Sequence, residues 1–237
     1  MKKINLIGYG NWGKRIYPIL KDIKNIKVKI IKKKDLLNKS SLDLILTNNE
    51  THYSLVKRSL ITNNNVFCEK PLTTSISKAL KLYKFSDQNK KKIYVSDIEN
   101  FKNRKIRIKK NNIIIRTKHS LIKNDILWRL AYHDFSYIYK YVKFKKLTEI
   151  KVLKIQTGII NFSLIFNNIN FNFSYNLNTN IKKHFFNDTN LVSRKNYYKK
   201  MLNNLLSSRV NFTQNKEISL FCIKITNMIE YKIKKFK

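Results

Sequence analysis

At 237 residues the chain is long for one domain and short for two, so it forms one large or two small domains. With 43% apolar and 12% aromatic residues it can bury a proper core, yet no run approaches the ~20 apolar residues of a membrane span. A formal charge of +36 invites a nucleic-acid partner. The lysines, however, are spread along the chain and accompany abundant Asn, Ile, Phe and Tyr and scarce Ala, Gly, Pro and Trp, the usage of A/T-rich codons, so no specific nucleic-acid partner is expected.

The first apolar run, Ile4, Leu6 and Ile7, leads into Gly8-Tyr9-Gly10-Asn11-Trp12-Gly13 and then into a segment of helical periodicity. Strand, glycine loop and helix make the first half of a dinucleotide-binding βαβ unit. Gly8 turns the chain out of the strand, Gly10 lets a pyrophosphate approach the backbone, and Gly13 lets the helix pack closely with its free N–H groups facing phosphate. The spacing gains weight because three of the chain's four glycines fall in these six residues. Trp12, Ile16, Ile19, Leu20 and Ile23 form one helical face, interrupted by Pro18.

Val28 to Ile31 reads as a second, parallel strand, ending at Lys32-Lys33-Lys34-Asp35. Such folds read the adenosine ribose about 20 residues after the glycines. Asp35 suits the ribose diol of NAD; the lysines suit the 2′-phosphate of NADP; a solvated loop accounts for both equally. A strand at Leu42 to Leu46 precedes Thr47-Asn48-Asn49-Glu50-Thr51-His52, with Thr51 as the expected helix cap. Val66 to Cys68 is a buried strand ending in Glu69-Lys70-Pro71. A helix from Thr74 to about Asn89 and a strand at Ile93 to Val95 follow. This alternation is a doubly wound α/β pattern, and residues 1–97 are taken as a Rossmann-type dinucleotide-binding domain.

Beyond residue 97 the character changes. A helix around Leu127 to Val142 contains His133-Asp134, and Lys151 to Leu177 alternates as antiparallel strands with one wet face do. Gly158 marks a turn or bulge, Asn178 to Asn190 a loose loop, and helices at Tyr197 to Leu206 and Glu217 to about Lys234 close the chain. Residues 98–237 are taken as an α+β substrate domain with an open antiparallel sheet, whose terminal helices can pack back on the first domain. Cys68 and Cys222 are too few and too distant for a disulfide framework or a zinc site, so no metal is expected and a reducing cytoplasm fits. Only four residues separate Met1-Lys2-Lys3 from Gly8, too few for a signal peptide's apolar region.

Four pieces in order, the Gly8–Gly13 loop, Thr47 to His52, Glu69-Lys70-Pro71 and His133-Asp134, resemble the glucose–fructose oxidoreductase/inositol dehydrogenase (Gfo/Idh/MocA) family over nearly the whole chain. The Glu-Lys-Pro tripeptide at a strand end, with Thr-x-x-x-Thr-His before it, is the most specific part. The resemblance implies an NAD- or NADP-dependent oxidoreductase moving a hydride to or from a sugar, nucleotide-sugar or polyol hydroxyl. It implies that Gly8, Gly10 and Gly13 hold the pyrophosphate, with Asn11 and Trp12 lining the loop. Thr47, Asn48 and His52 would border the nicotinamide side of the cofactor, and Glu69 and Lys70 would flank the nicotinamide. Lys70 would hydrogen-bond the reacting oxygen and His133 would be the acid–base group. Those residue types suit the chemistry, because a carbinol needs a base for its proton and a donor for its alkoxide-like oxygen.

Three departures from the family pattern stand out. Arg129 occupies the place, one helical turn before His133, where family members often carry an aspartate; an arginine cannot act as a base. Asn48 stands where a proline commonly follows the threonine, and the chain is short for the family. A same-fold protein that binds cofactor without turnover is therefore the second expectation, and a nucleic-acid-binding protein the third. His133 also reads as a partly buried structural histidine, and His119 and His184 as surface or loop residues. Two further expectations are a cis Lys70–Pro71 bond and a homo-oligomer joined through the antiparallel sheet.

Overall fold

The computed structural model describes residues 1–32, 39–102, 105–192 and 197–236. Its first elements are β1 (Lys2–Ile7), α1 (Asn11–Lys21), β2 (Ile26–Ile31), β3 (Leu42–Ile45), α2 (Asn49–Ile61), β4 (Val66–Cys68), α3 (Ile76–Gln88) and β5 (Ile93–Val95). After a 3-10 turn at Ile98–Lys102 come β6 (Asn111–Thr117), a π-helical turn at Leu127–Ala131, α4 (Tyr132–Val142), β7 (Leu147–Gln156), β8 (Ile159–Phe166) and β9 (Ile169–Asn176). The short pair β10 (Lys183–Phe186) and β11 (Thr189–Asn190) precedes α5 (Tyr198–Leu206) and α6 (Phe212–Phe236). Two compact units result: Met1–Phe101 with Asn196–Ile223, and Lys102–Lys195 with Lys224–Lys237. No helix among the described residues is long and apolar enough to cross a membrane.

In the first unit five parallel strands run in the order β2-β1-β3-β4-β5. The inner strands read as continuous apolar runs because helices cover both faces, and every residue of β3, β4 and β5 is buried. Ile4, Leu6, Leu42, Leu44 and Leu46 share a core with Ile16 and Leu20 of α1 and Met201, Leu202 and Leu205 of α5. On the alternate residues of the same strands Asn5 donates to the Asp43 carboxylate at 2.8 Å, Asn64 reaches both its oxygens at 3.1 Å and Ser40 adds a bond of 2.8 Å. Asp43 is fully buried, and uncharged donors alone make these bonds to it. Edge strand β2 alternates instead, with Lys27 and Lys29 turned to solvent, which discourages pairing with another sheet. Pro18 falls in the last turn of α1, so its missing N–H comes where the helix ends.

The second unit is a mixed sheet ordered β11-β10-β6-β9-β8-β7. Its pairs are antiparallel except β6 with β9, which run parallel. Alternation in Phe171, Phe173 and Tyr175 buries every second residue of β9 against α4, where Phe135 meets the rings of Phe162 and Phe173. Phe162 stacks on Phe173 with ring centres 4.7 Å apart. The loose loop expected at 178–190 is corrected in part. Residues 183–186 pair with β6, and His184 and Phe186 turn inward while polar neighbours mask the strand pattern. Gly158, at φ +76, makes the β7–β8 turn, where the Asn178 side chain leaves no room for a Cβ.

Candidate functional site

Connections leave β1 toward one edge of the parallel sheet and β3 toward the other, so the order reverses between these neighbours. The carboxyl ends of two such strands are the usual ligand site of these sheets. Gly8 follows β1 with φ +98, and a Cβ there would lie 2.8 Å from both the Leu46 carbonyl carbon and Thr47 Cγ2. A Cβ on Gly13 would lie 2.1 Å from the Gly8 oxygen, so α1 starts against the turn itself. Gly10 differs: it is exposed, its φ of −75° suits any residue, and nothing lies within 4 Å of the place a Cβ would take. It caps α1 without a side-chain bond, leaving the first-turn N–H groups of Asn11, Trp12 and Gly13 to a ligand. An anionic pyrophosphate fits that cradle.

The opposite lip is the Thr47 loop. Helix α2 starts at Asn49 with Asn48 as its cap; Thr51, expected to cap it, instead places its hydroxyl 2.7 Å from that of Thr47. Thr47 is half-buried and Asn48 exposed. His52 is fully buried, with Nδ1 2.7 Å from the Pro71 carbonyl oxygen and Nε2 3.0 Å from that of Thr47. It fastens the Thr47 loop to the Glu69–Pro71 turn from behind, rather than standing at the surface. The Lys70–Pro71 bond is cis.

Glu69, at the end of β4, is the best-connected residue here. Trp12 Nε1 donates to Oε1 at 3.2 Å, the Tyr198 hydroxyl donates to the same oxygen, and the Lys70 N–H donates to Oε2 at 3.0 Å. Sequence reasoning placed Trp12 and Glu69 here but missed Tyr198, which is 129 residues from Glu69. No spacing rule reaches that far. Lys70 is half-buried, and its charge acts on the Cys222 thiol of α6, which burial and Asp97 push up and Lys70 pulls down. Asp35, the expected ribose reader, lies outside the described residues.

In the second unit His133 sits half-buried in the first turn of α4. Arg129, in the π-helical turn before it, donates from Nη1 to the Ile122 carbonyl. Asp134 is fully buried beside His184 Nε2 at 2.6 Å, the Tyr175 hydroxyl at 2.9 Å and Arg116 Nη1 at 3.7 Å. Burial alone would raise the Asp134 pKa; His184, Arg116 and the Tyr175 bond overcome it and hold the carboxyl below its ordinary 3.8. His184, expected as a surface or loop residue, is thus the buried strand partner of Asp134. Among the described residues no cluster of three His, Cys, Asp or Glu side chains can hold a metal ion.

Residues 25–97 match the family model described as the Gfo/Idh/MocA oxidoreductase family, NAD-binding Rossmann fold. That stretch is similar to the cofactor-binding part of the family. The matched stretch holds Thr47, His52, Glu69 and Lys70, while the glycine loop lies before it and stands on its own geometry. No curated protein matches the sequence. Several solved structures share the fold of this chain. The UDP-N-acetylglucosamine 3-dehydrogenase of Acidithiobacillus ferrooxidans does so at 9% identity and TM-score 0.79, over 96% of each chain. The WlbA dehydrogenase of Thermus thermophilus, solved with NAD and UDP-GlcNAcA, matches at 10% identity and TM-score 0.73 over 95% of each chain. The MviM dehydrogenase of Clostridium difficile matches at 13% identity and TM-score 0.74, over 98% of this chain and 99% of its own.

Proposed function

We propose that this chain is a member of the Gfo/Idh/MocA family that binds NAD or NADP at the Gly8–Gly13 loop and oxidises or reduces a CH–OH group of a sugar, nucleotide sugar or polyol. The observation carrying the reading is the contrast among the three glycines: Gly8 and Gly13 have no room for a side chain, while Gly10 faces open space at an uncapped helix start. The first-turn N–H groups would bind the pyrophosphate, Asn11 and Trp12 would line the loop, and Thr47, Asn48 and Glu69 would border the nicotinamide half, with His52 holding that border in place. Asp35 would meet the adenosine ribose. When bound, the dinucleotide supplies the hydride acceptor or donor. Lys70 would donate a hydrogen bond to the substrate oxygen, and His133 would take up or return its proton. Residues 1–97 would form the cofactor domain and those from 98 the substrate domain, with the terminal helices returning to the first. The sheet face of the second domain away from α4, with Ile113 and Ile115 exposed on β6, would join copies of the chain. Buried thiols at Cys68 and Cys222 suit a reducing compartment such as the cytoplasm.

Calorimetric titration with both dinucleotides tests the binding step; a Gly10→Val variant should keep its far-UV spectrum and lose binding, and unchanged affinity would refute the assignment. For the chemistry, Lys70→Ala should cut turnover by a large factor with cofactor affinity nearly intact, and His133→Ala by ~10²–10⁴-fold. The second reading, a cofactor-binding protein without turnover, draws on Arg129, a residue that cannot be a base. Absence of turnover across a panel of nucleotide sugars and polyols, with binding intact, would favour it.

A further inference from the structure

Helix α5 enters the first unit 129 residues after Glu69 and brings one polar group to that carboxylate. We propose that Tyr198 is a positioning residue of the dinucleotide site. Its hydroxyl fixes the Glu69 carboxylate, and through Glu69 it holds the Trp12 side of the glycine loop against the Glu69–Pro71 turn. This rests on the proposed dinucleotide site and assigns a residue to it that carries no motif.

Both oxygens of the Glu69 carboxylate are engaged. Glu69 Oε1 receives both Trp12 Nε1–H and the Tyr198 hydroxyl, and Oε2 receives the Lys70 N–H. The Tyr198 oxygen lies 3.2 Å from Ser96 Oγ at the end of β5, and its ring meets the Trp12 ring edge-on with centroids 5.0 Å apart. A carboxylate with three donors cannot swing, so the ends of α1, β4, β5 and α5 become one rigid lip. Burial and the Glu69 charge push the Tyr198 pKa far up, so the hydroxyl remains a donor throughout the working pH range. Met201, Leu202 and Leu205 anchor the rest of α5 in the apolar core. Removing only the hydroxyl therefore leaves the helix seated and removes its contacts to Glu69 and Ser96.

The test is a cycle of Tyr198→Phe, Glu69→Gln and the double variant, in protein labelled with 5-fluorotryptophan. NAD affinity is read by calorimetry. The ¹⁹F signals of Trp12 and Trp128 are read without ligand, with Trp128 of the second unit as internal control. Tyr198→Phe should weaken NAD about tenfold, the scale of a lost bond to a charged group, and move the Trp12 signal alone. In the Glu69→Gln background the same substitution should do much less, because its route is through Glu69. Equal effects in both backgrounds, or an unmoved Trp12 signal, would overturn the proposal. Unfolding of Tyr198→Phe, seen as movement of both signals, would be answered by Ser96→Ala, which loosens the same hydroxyl and should shift Trp12 alone; a silent Ser96→Ala would then count against it. If the wild type binds neither dinucleotide, the functional reading fails, while the Trp12 signal still decides whether Tyr198 holds the loop.

Discussion

Among the described residues each unit has one aspartate without any exposed surface, Asp43 and Asp134, and the two are satisfied in different ways. Asp43 in the parallel sheet is held by Asn5, Asn64 and Ser40, all uncharged. Asp134 in the first turn of α4 is held by His184 and Arg116 as well as the Tyr175 hydroxyl. Neutral donors let Asp43 stitch loops together; Asp134 also lies beside the Arg116 guanidinium, whose charge loses its partner when the carboxylate is removed, and its lowered pKa ties the stability of its unit to pH. In the first unit α1 starts without a side-chain cap, and that start is the proposed seat of the anion.

The sharpest way to break this contrast is to delete each carboxyl group. Asp134→Ala strands His184 and Arg116 and should cost about 3–5 kcal/mol, seen as a lower denaturation midpoint in the signal of Trp128, on the same unit. Asp43→Asn keeps one acceptor and sets an amide against Asn64, so about 1–3 kcal/mol is expected, read through Trp12. Equal costs would mean that charge pairing contributes nothing distinctive to the second unit.

Acid separates the two units more gently. The folded Asp134 pKa lies below the ordinary 3.8, so its contribution is fully present above about pH 4 and falls away as the pH drops through the folded value. Stability read through Trp128 should therefore decline from about pH 4 downward, and Asp134→Asn should flatten that decline. An unaltered slope in the variant would place the acid sensitivity elsewhere.

How much of this was legible depended on sequence distance. The β1–loop–α1 unit and the Glu69-Lys70-Pro71 turn declare themselves because their geometry is local: glycine spacing and a strand ending in Lys-Pro. The alternation of Phe171, Phe173 and Tyr175 declared β9 for the same reason. His184 did not, because its strand reads Lys-His-Phe-Phe amid polar neighbours and its partner Asp134 is 50 residues away. Tyr198 is the extreme case, an ordinary helical tyrosine until the chain returns it to Glu69. For His52 the sequence suggested a lining residue, while the structure buries it between the Thr47 and Pro71 carbonyls; nothing in the spacing tells a lining residue from a fastening one.

The smallest effect on stability is expected at Gly10, where the contrast between met and unmet donors can be tested directly. Its backbone already has the extended geometry of a cap, with φ −75° and ψ −163°, and its surroundings are open. A serine there can turn its oxygen toward the first-turn N–H groups, and serine caps exceed glycine by only a few tenths of a kcal/mol. Gly10→Ser should thus leave the protein as stable as the wild type or slightly more so, moving the thermal midpoint by about a degree or two. Dinucleotide affinity should fall well beyond that, because the hydroxyl takes the donors that the pyrophosphate needs and fills the space beside them. Differential scanning calorimetry of the free protein, paired with NAD titration of the same sample, reads both quantities. A serine variant that gained stability and kept its affinity would show that the uncapped helix start is not where the anion binds.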